Sequence, residues 1–115
     1  MIVELVTFKV PPGVDRGGTL ADARATIPRW RANRELARKY YLVSDDGTEG
    51  AGLYIWPTPE AAEAAHDAAW RASVEKRTGA SPSIRYFALQ MLLDNDAGTV
   101  TEWSQSGMKS ERAVE

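Results

Sequence analysis

The segment from Ser83 to Leu93 reads SIRYFALQMLL, and it constrains the fold more than any other stretch of the chain. In an extended strand, successive side chains point to opposite faces of the sheet. One face then carries Arg85, Phe87, Leu89, Met91 and Leu93, and the other carries Ile84, Tyr86, Ala88, Gln90 and Leu92. Both faces are largely apolar. Glu49 to Trp56 repeats the pattern, with Leu53 and Ile55 against Tyr54 and Trp56. A sheet with one wet face alternates apolar and polar residues instead. The sheet built from these strands needs cover on both sides.

The remaining elements show how much of that cover the chain supplies. Ile2 to Val10 reads as a strand stopped by Pro11-Pro12-Gly13. Thr19 with Asp22 predicts a helix start, and Leu20, Ala23, Ile27 and Trp30 follow as one apolar stripe. Pro28 lies inside it and predicts a kink or an early end, because an interior proline costs about 3 kcal/mol. Leu36 to Asp45 contains Tyr40-Tyr41-Leu42-Val43, a strand by its aromatic and β-branched content. Asp46-Gly47 is a hairpin signal, and Glu49 to Trp56 is the returning strand. Thr58-Pro59-Glu60 starts a second helix with a capping hydroxyl, a proline and an acid in sequence. That helix is expected to run unbroken to about Thr78, with Gly79 as its stop. Its alanines at 61, 64, 65, 68 and 72 make a smooth stripe expected to pack on the sheet.

Strand, helix, strand, strand, helix, strand is the order of an α+β ferredoxin-like domain, with an antiparallel four-stranded sheet and two helices on one face. Residues 1–94 account for it. Residues 95–115 form a polar tail, either disordered or packed on a partner. Four strands at ~4.8 Å spacing make a sheet roughly 19 Å wide, and two helices of ~10 Å diameter cover that width once. The second face would leave an apolar patch beyond the few hundred Å² usual on a monomer. A second copy in a two-fold homodimer covers it; the alternative is that the tail folds back over it.

Composition removes several function classes. A chain of 115 residues is one domain, and its net charge of −2 offers no overall attraction to nucleic acid or an anionic membrane. No apolar run approaches the ~20 residues of a membrane span. The N-terminus lacks the basic region of a signal peptide. The expected location is cytoplasmic, which fits the absence of cysteine. Arg24, Arg29, Arg31, Arg34, Arg38 and Lys39 form a basic cluster without a nucleic-acid-binding signature, so it reads as a solvated face. No phosphate loop, serine triad or metal-ligand motif occurs, and the single histidine, His66, cannot build a multi-histidine metal site.

Lys39-Tyr40-Tyr41-Leu42-Val43-Ser44-Asp45-Asp46-Gly47, Gly50-Ala51-Gly52-Leu53-Tyr54-Ile55-Trp56 and Glu60-Ala61-Ala62-Glu63-Ala64, with Trp70 beyond, resemble a known group. These are the cofactor-independent monooxygenases of the dimeric α/β-barrel superfamily, and the resemblance spans Ile2 to about Asn95. It implies a homodimer whose subunits each hold a small-molecule substrate between helices and sheet. It also implies oxidation by molecular oxygen with no cofactor and no metal. Trp56 matches a pocket tryptophan of the polyketide-oxidising relatives. Gly52 and Ala62 stand where those relatives have an asparagine and a tyrosine. His66 lies too early in its helix for the haem ligand of the haem-degrading relatives.

Within this frame, two residues are catalytic candidates. His66 is one because a histidine side chain, as a type, changes charge near neutral pH and could remove a phenolic or enolic proton; its other reading is a surface or capping role. Tyr41 falls opposite Gly52 in the hairpin register, which leaves space beside its ring. That register puts Tyr41, Lys39, Tyr54 and Trp56 on one face, where they form either a pocket wall or paired core aromatics. Trp30, Tyr54, Trp56 and Trp70 are candidate substrate-binding residues. Arg85 is a further one, since guanidinium binds carboxylates or enolates bidentately; otherwise it is a strand-end arginine reaching water. The expected activity is oxygenation of an electron-rich aromatic or enolisable small molecule. The alternatives are a non-oxidative cyclase or isomerase and an accessory protein that binds without turnover.

Overall fold

Ile2–Lys9 (β1), Arg38–Val43 (β2), Glu49–Trp56 (β3) and Ser83–Ala88 (β4) pair antiparallel in the order β2-β3-β1-β4. The computed structural model describes residues 1–115. The β2–β3 register sets Tyr41 opposite Gly52 and Lys39 opposite Tyr54, as the hairpin signal predicts. Gly47 supplies the positive φ of 75° at that turn, a conformation that costs glycine little. The Asp46 carboxyl accepts hydrogen bonds from Thr48 and Ser44, which hold it below the usual carboxylate range.

Arg16–Ala32 (α1), Pro59–Ala65 (α2) and Ala68–Thr78 (α3) lie on one face of the sheet. Here the structure corrects three expectations. First, α1 begins earlier than Thr19, because the Asp15 side chain accepts from Gly18 N–H at 2.8 Å and caps the first turn. Pro28 does not end it: the helix runs on to Ala32 and delivers Trp30 to the core, while Ile27 points out at 50% exposure. Second, the long helix from Pro59 is two helices. His66 closes α2 in a non-helical conformation, and Asp67 opens α3 by accepting from Trp70 N–H at 2.9 Å. Third, the inward stripe is Ala62, His66, Trp70 and Val74, not the alanines at 64, 68 and 72, which are exposed.

The helix-covered face carries Ile2, Glu4, Val6, Gly52, Tyr54, Trp56 and Ile84. Its centre is the cluster of Val6, Trp30, Tyr54, Trp56 and Ala62. Strand β3 alternates strictly, every inward residue buried and every outward one at most half-buried. No helix covers the opposite face, where Tyr40, Leu42 and Phe87 remain exposed.

The segment read as one final strand is broken. After β4, Leu89 N–H donates to the Met1 carbonyl and the Gln90 carbonyl accepts from Trp103 N–H. Met91–Asp94 (β5) then starts a second, three-stranded sheet with Thr99–Trp103 (β6) and Lys109–Ala113 (β7). Residues 95–115 thus contribute two strands rather than a loose tail. Leu92, Leu93 and Asp94 share a shallow cleft with Arg38 and Tyr40, so this meander folds back to one end of the uncovered face. No helix is long and apolar enough to cross a membrane.

Candidate active site

The helix-covered face has a sealed end and an open end. At the sealed end lies Glu4, an acid in the inward phase of an apolar strand and fully buried. Burying a carboxyl group is costly unless it finds partners. Its Oε1 accepts from Trp56 Nε1–H at 2.8 Å, and His66 Nδ1 lies 2.8 Å from the same oxygen. The His66 approach is a close polar contact rather than an aligned hydrogen bond, so Glu4 Oε2 and both His66 nitrogens lack an aligned partner. Four aromatic rings enclose the imidazole. Trp70 and Tyr54 meet it edge-on at centroid distances of 4.3 and 4.6 Å, with Trp30 at 5.2 Å and Trp56 at 6.4 Å. Such edge-to-face pairs add ~0.5–1.5 kcal/mol each beyond the area they bury.

At the open end, α1 stands away from β2 and the first half of β3, leaving a cavity of about 590 Å³. Trp30, Tyr41, Tyr54 and Trp70 give it an aromatic wall, and α3 supplies Ser73, Arg77 and Thr78. Tyr41 is fixed by a 3.0 Å hydrogen bond between its hydroxyl and Thr26 Oγ1 on α1. The space above Gly52 is shared with Tyr54, whose ring leans over it; a Cβ there would lie 2.7 Å from Tyr54 Cε1. The room expected beside Tyr41 is therefore partly taken by the neighbouring tyrosine on β3. Burial, with the nearby charge of Glu4, raises the Tyr54 hydroxyl well above the usual phenol range.

Lys39 enters this wall from β2. Its Nζ lies 4.0 Å from the Tyr41 ring centroid, 4.6 Å from Trp30 and 4.7 Å from Tyr54. No carboxylate is in ion-pair contact with it. Burial, reinforced by the neighbouring Arg29 charge, pushes its ammonium down to about 7. Ring faces favour the charged form and oppose that shift without supplying a counter-charge.

The structure brings together Trp30, Tyr41, Tyr54 and Trp70 of the residues anticipated from sequence, and all four line the cavity. The other three lie elsewhere. His66 does not line the cavity; at 1% exposure it sits one layer behind, against Trp30, Tyr54 and Trp70. Trp56 is wholly buried as the donor to Glu4. Arg85 is on the uncovered face, because it pairs with Leu5 in the outward phase, and its guanidinium stacks on Phe87 at 4.9 Å. Sequence reasoning passed over Glu4 and placed Lys39 in a solvated basic cluster. Both had a signal: Glu4 shares its phase with Ile2 and Val6, and Lys39 shares a face with Tyr41.

No family model matches the sequence, and no curated protein does. Solved structures do match. A monooxygenase from the gene ActVA-Orf6 of Streptomyces coelicolor, in complex with nanaomycin D, superposes with a TM-score of 0.62 at 18% identity, over 80% of this chain and 89% of that one. Rv0793 from Mycobacterium tuberculosis matches with a TM-score of 0.59 at 20% identity, over 81% of this chain and 95% of that one. An antibiotic biosynthesis monooxygenase matches with a TM-score of 0.59 at 10% identity, over 77% and 98% of the two chains. This chain has the ferredoxin-like fold of antibiotic biosynthesis monooxygenase-type proteins.

Proposed function

We propose that this protein is an oxygenase-like enzyme for an electron-rich aromatic or enolisable small molecule, acting as a homodimer. The observation that carries the reading is the 590 Å³ cavity walled by Trp30, Tyr41, Tyr54 and Trp70. A planar ring system fits between such side chains, and desolvation there strengthens every polar contact to its oxygens. Once the substrate has lost a proton, its carbanion carbon adds O₂. The resulting peroxide anion takes up a proton, and the hydroperoxide then loses water, with the second hydrogen coming from the same carbon, leaving a carbonyl. Tyr41, held by Thr26, is placed to orient the ring oxygen from which charge is delocalised. His66 acts from behind the wall, by fixing the rings of Tyr54 and Trp70.

Oxygen uptake with a panel of anthrone-like phenols tests the reaction. Uptake matched by formation of an oxidised product is expected, and it should stop under anaerobic conditions. Product formed without oxygen would replace the reading with a cyclase or isomerase. That second reading draws on Gly52 and Ala62, since the polar groups of the polyketide-oxidising relatives are missing at both positions.

The uncovered sheet face supports the homodimer. Tyr40 and Leu42 on one edge strand and Phe87 on the other are 47%, 47% and 43% exposed there, with Val3, Leu5, Leu53 and Ile55 half-buried between them and no helix over any of them; apolar sheet surface of this kind favours cover by a second copy. Sedimentation at micromolar concentration should give twice the chain mass for the wild type and the single mass for Leu42→Asp. A wild-type monomer would refute the assembly.

A further inference from the structure

We propose that Lys39 is the proton acceptor of the cavity: its amine takes the acidic proton of a phenol or enol seated there and then holds the resulting anion beside Arg29. The inference deepens the oxygenase-like reading and rests on it for the class of ligand.

Three observations carry it. Lys39 is half-buried at the wall of the 590 Å³ cavity, and its Nζ lies 4.0 to 4.7 Å from three aromatic ring centroids with no carboxylate in ion-pair contact. A lysine that only stabilised the fold would be expected to reach solvent or an acid, since burying an unpaired ammonium is costly. Next, α1 sets Arg29 at the same wall, and its guanidinium also reaches toward the Ala65 carbonyl at 3.5 Å. Arg29 is a cation on an apolar wall with no carboxylate in ion-pair contact, so an anion seated there meets it together with the ammonium formed at Lys39. Finally, His66 does not line the cavity, so the proton-accepting side chains at its wall are the phenols Tyr41 and Tyr54, the carboxylate of Asp22 and the amine of Lys39, and of these Lys39 is the one ringed by the aromatic wall.

Every element around Lys39 bears on its proton. Arg29 from α1 disfavours the ammonium, as does burial. Tyr41 on β2 and Tyr54 on β3 present ring faces. Asp22 and Arg16 on α1 and Arg77 on α3 line the cavity further out, and Asp22 is its one acidic residue. Glu4 on β1 lies behind Tyr54, engaged by Trp56 and His66.

The step balances simply. The ligand O–H bond breaks with its electron pair left on oxygen, and a new N–H bond turns the amine into an ammonium. Net charge is unchanged, and the phenolate lies against the ammonium that formed with it. A lysine kept uncharged near neutrality is suited to this task, whereas an ordinary one is already protonated.

The probe is meta-nitrophenol, a weaker acid than the para isomer whose colour reports its ionisation, titrated against the intact protein and against Lys39→Met and Lys39→Arg. The wild type should bind it as the yellow phenolate at about pH 7.5, where Lys39 is mostly the free amine and the free dye is mostly protonated. Lys39→Met should bind at least about tenfold more weakly, the factor equivalent to one unit of ionisation preference, and should hold the dye colourless. Lys39→Arg should bind the dye once it is ionised in solution but should not ionise it. Amine labelling of the wild type by trinitrobenzenesulfonate against pH gives an independent readout that needs no variant. Half-maximal reactivity of Lys39, located by peptide mapping, is expected near neutrality.

Half-reactivity at the ordinary lysine value of 10.5 overturns the proposal. So does failure of the wild type to bind the dye, or an unchanged bound phenolate in Lys39→Met. Phenolate binding without oxygen uptake would sink the oxygenase reading and leave Lys39 in its role. Undiminished uptake in Lys39→Met would do the reverse.

Discussion

The two ends of the helix-covered face use polar groups in opposite ways. At the α2 end, Glu4 is sealed with Trp56 as its hydrogen-bond donor and His66 in close contact, and four rings close around the imidazole. At the α1 end, Lys39 is only half-buried, among similar rings, but no acid answers it. Tyr54 and Trp30 belong to both ends: they touch His66 on one side and line the cavity on the other. A carboxylate sealed from water beside its donor holds structure together; an amine beside empty volume, with no acid in contact, is ready for a ligand. One layer of aromatic side chains separates the two.

The contrast is broken most severely at Glu4. Glu4→Ala leaves Trp56 Nε1–H without its acceptor, takes away the carboxylate beside His66 Nδ1 and opens a hole in the core. The expected loss is about 3–5 kcal/mol of stability, read by chemical denaturation. Glu4→Gln keeps the volume and a carbonyl for Trp56, so it should lose distinctly less. Equal stability of Glu4→Ala and wild type would mean that the sealed end contributes nothing.

A smaller effect sharpens the other end. The folded chain holds the Lys39 ammonium near 7 against an ordinary value of 10.5. Between those values the unfolded chain binds a proton that the folded chain does not, so stability rises with pH across that window. The cost is complete below about 7 and gone above 10.5. Tyr54 works the other way, since its raised hydroxyl lowers stability as pH climbs beyond 10.0. Thermal unfolding should therefore show Tm rising by about 4 °C or more from neutrality toward the lysine range. Lys39→Met should remove that rise. A wild-type Tm insensitive to pH there would mean the ammonium is as well solvated as any on the surface.

Much of this arrangement was legible in the residues. The four-stranded sheet, the hairpin register and the capped start at Thr58 all follow from local chemistry, because alternation, a two-residue turn and a capping hydroxyl are decided within a few residues. The interruptions were harder to read. Ala61 to Thr78 has helical composition throughout, so only Asp67, as a side chain able to recapture a backbone N–H, marks the break at His66. Ser83 to Leu93 has strand composition throughout, so its division at Leu89–Gln90 depends on long-range partners, the Met1 carbonyl and Trp103 N–H. The placement of His66 followed from the first of these. On one continuous helix it would border the buried stripe; closing α2, it turns fully inward to Glu4. For Arg85 two readings stayed open, a substrate contact and a strand-end arginine reaching water, since a strand's phase alone does not say which face the helices cover; it lies on the uncovered face.

The joint at His66–Asp67 has a consequence for variation. Ala62 and His66, on one side of it, serve the Glu4 cluster, whereas Ser73, Arg77 and Thr78, on the other, border the empty volume. Because two short cylinders meet there instead of one rod, exchanging Ser73, Arg77 or Thr78 on the later cylinder redraws the contour a guest molecule meets while Trp70 keeps its place against His66. The scaffold can be retailored to new guests a few residues at a time.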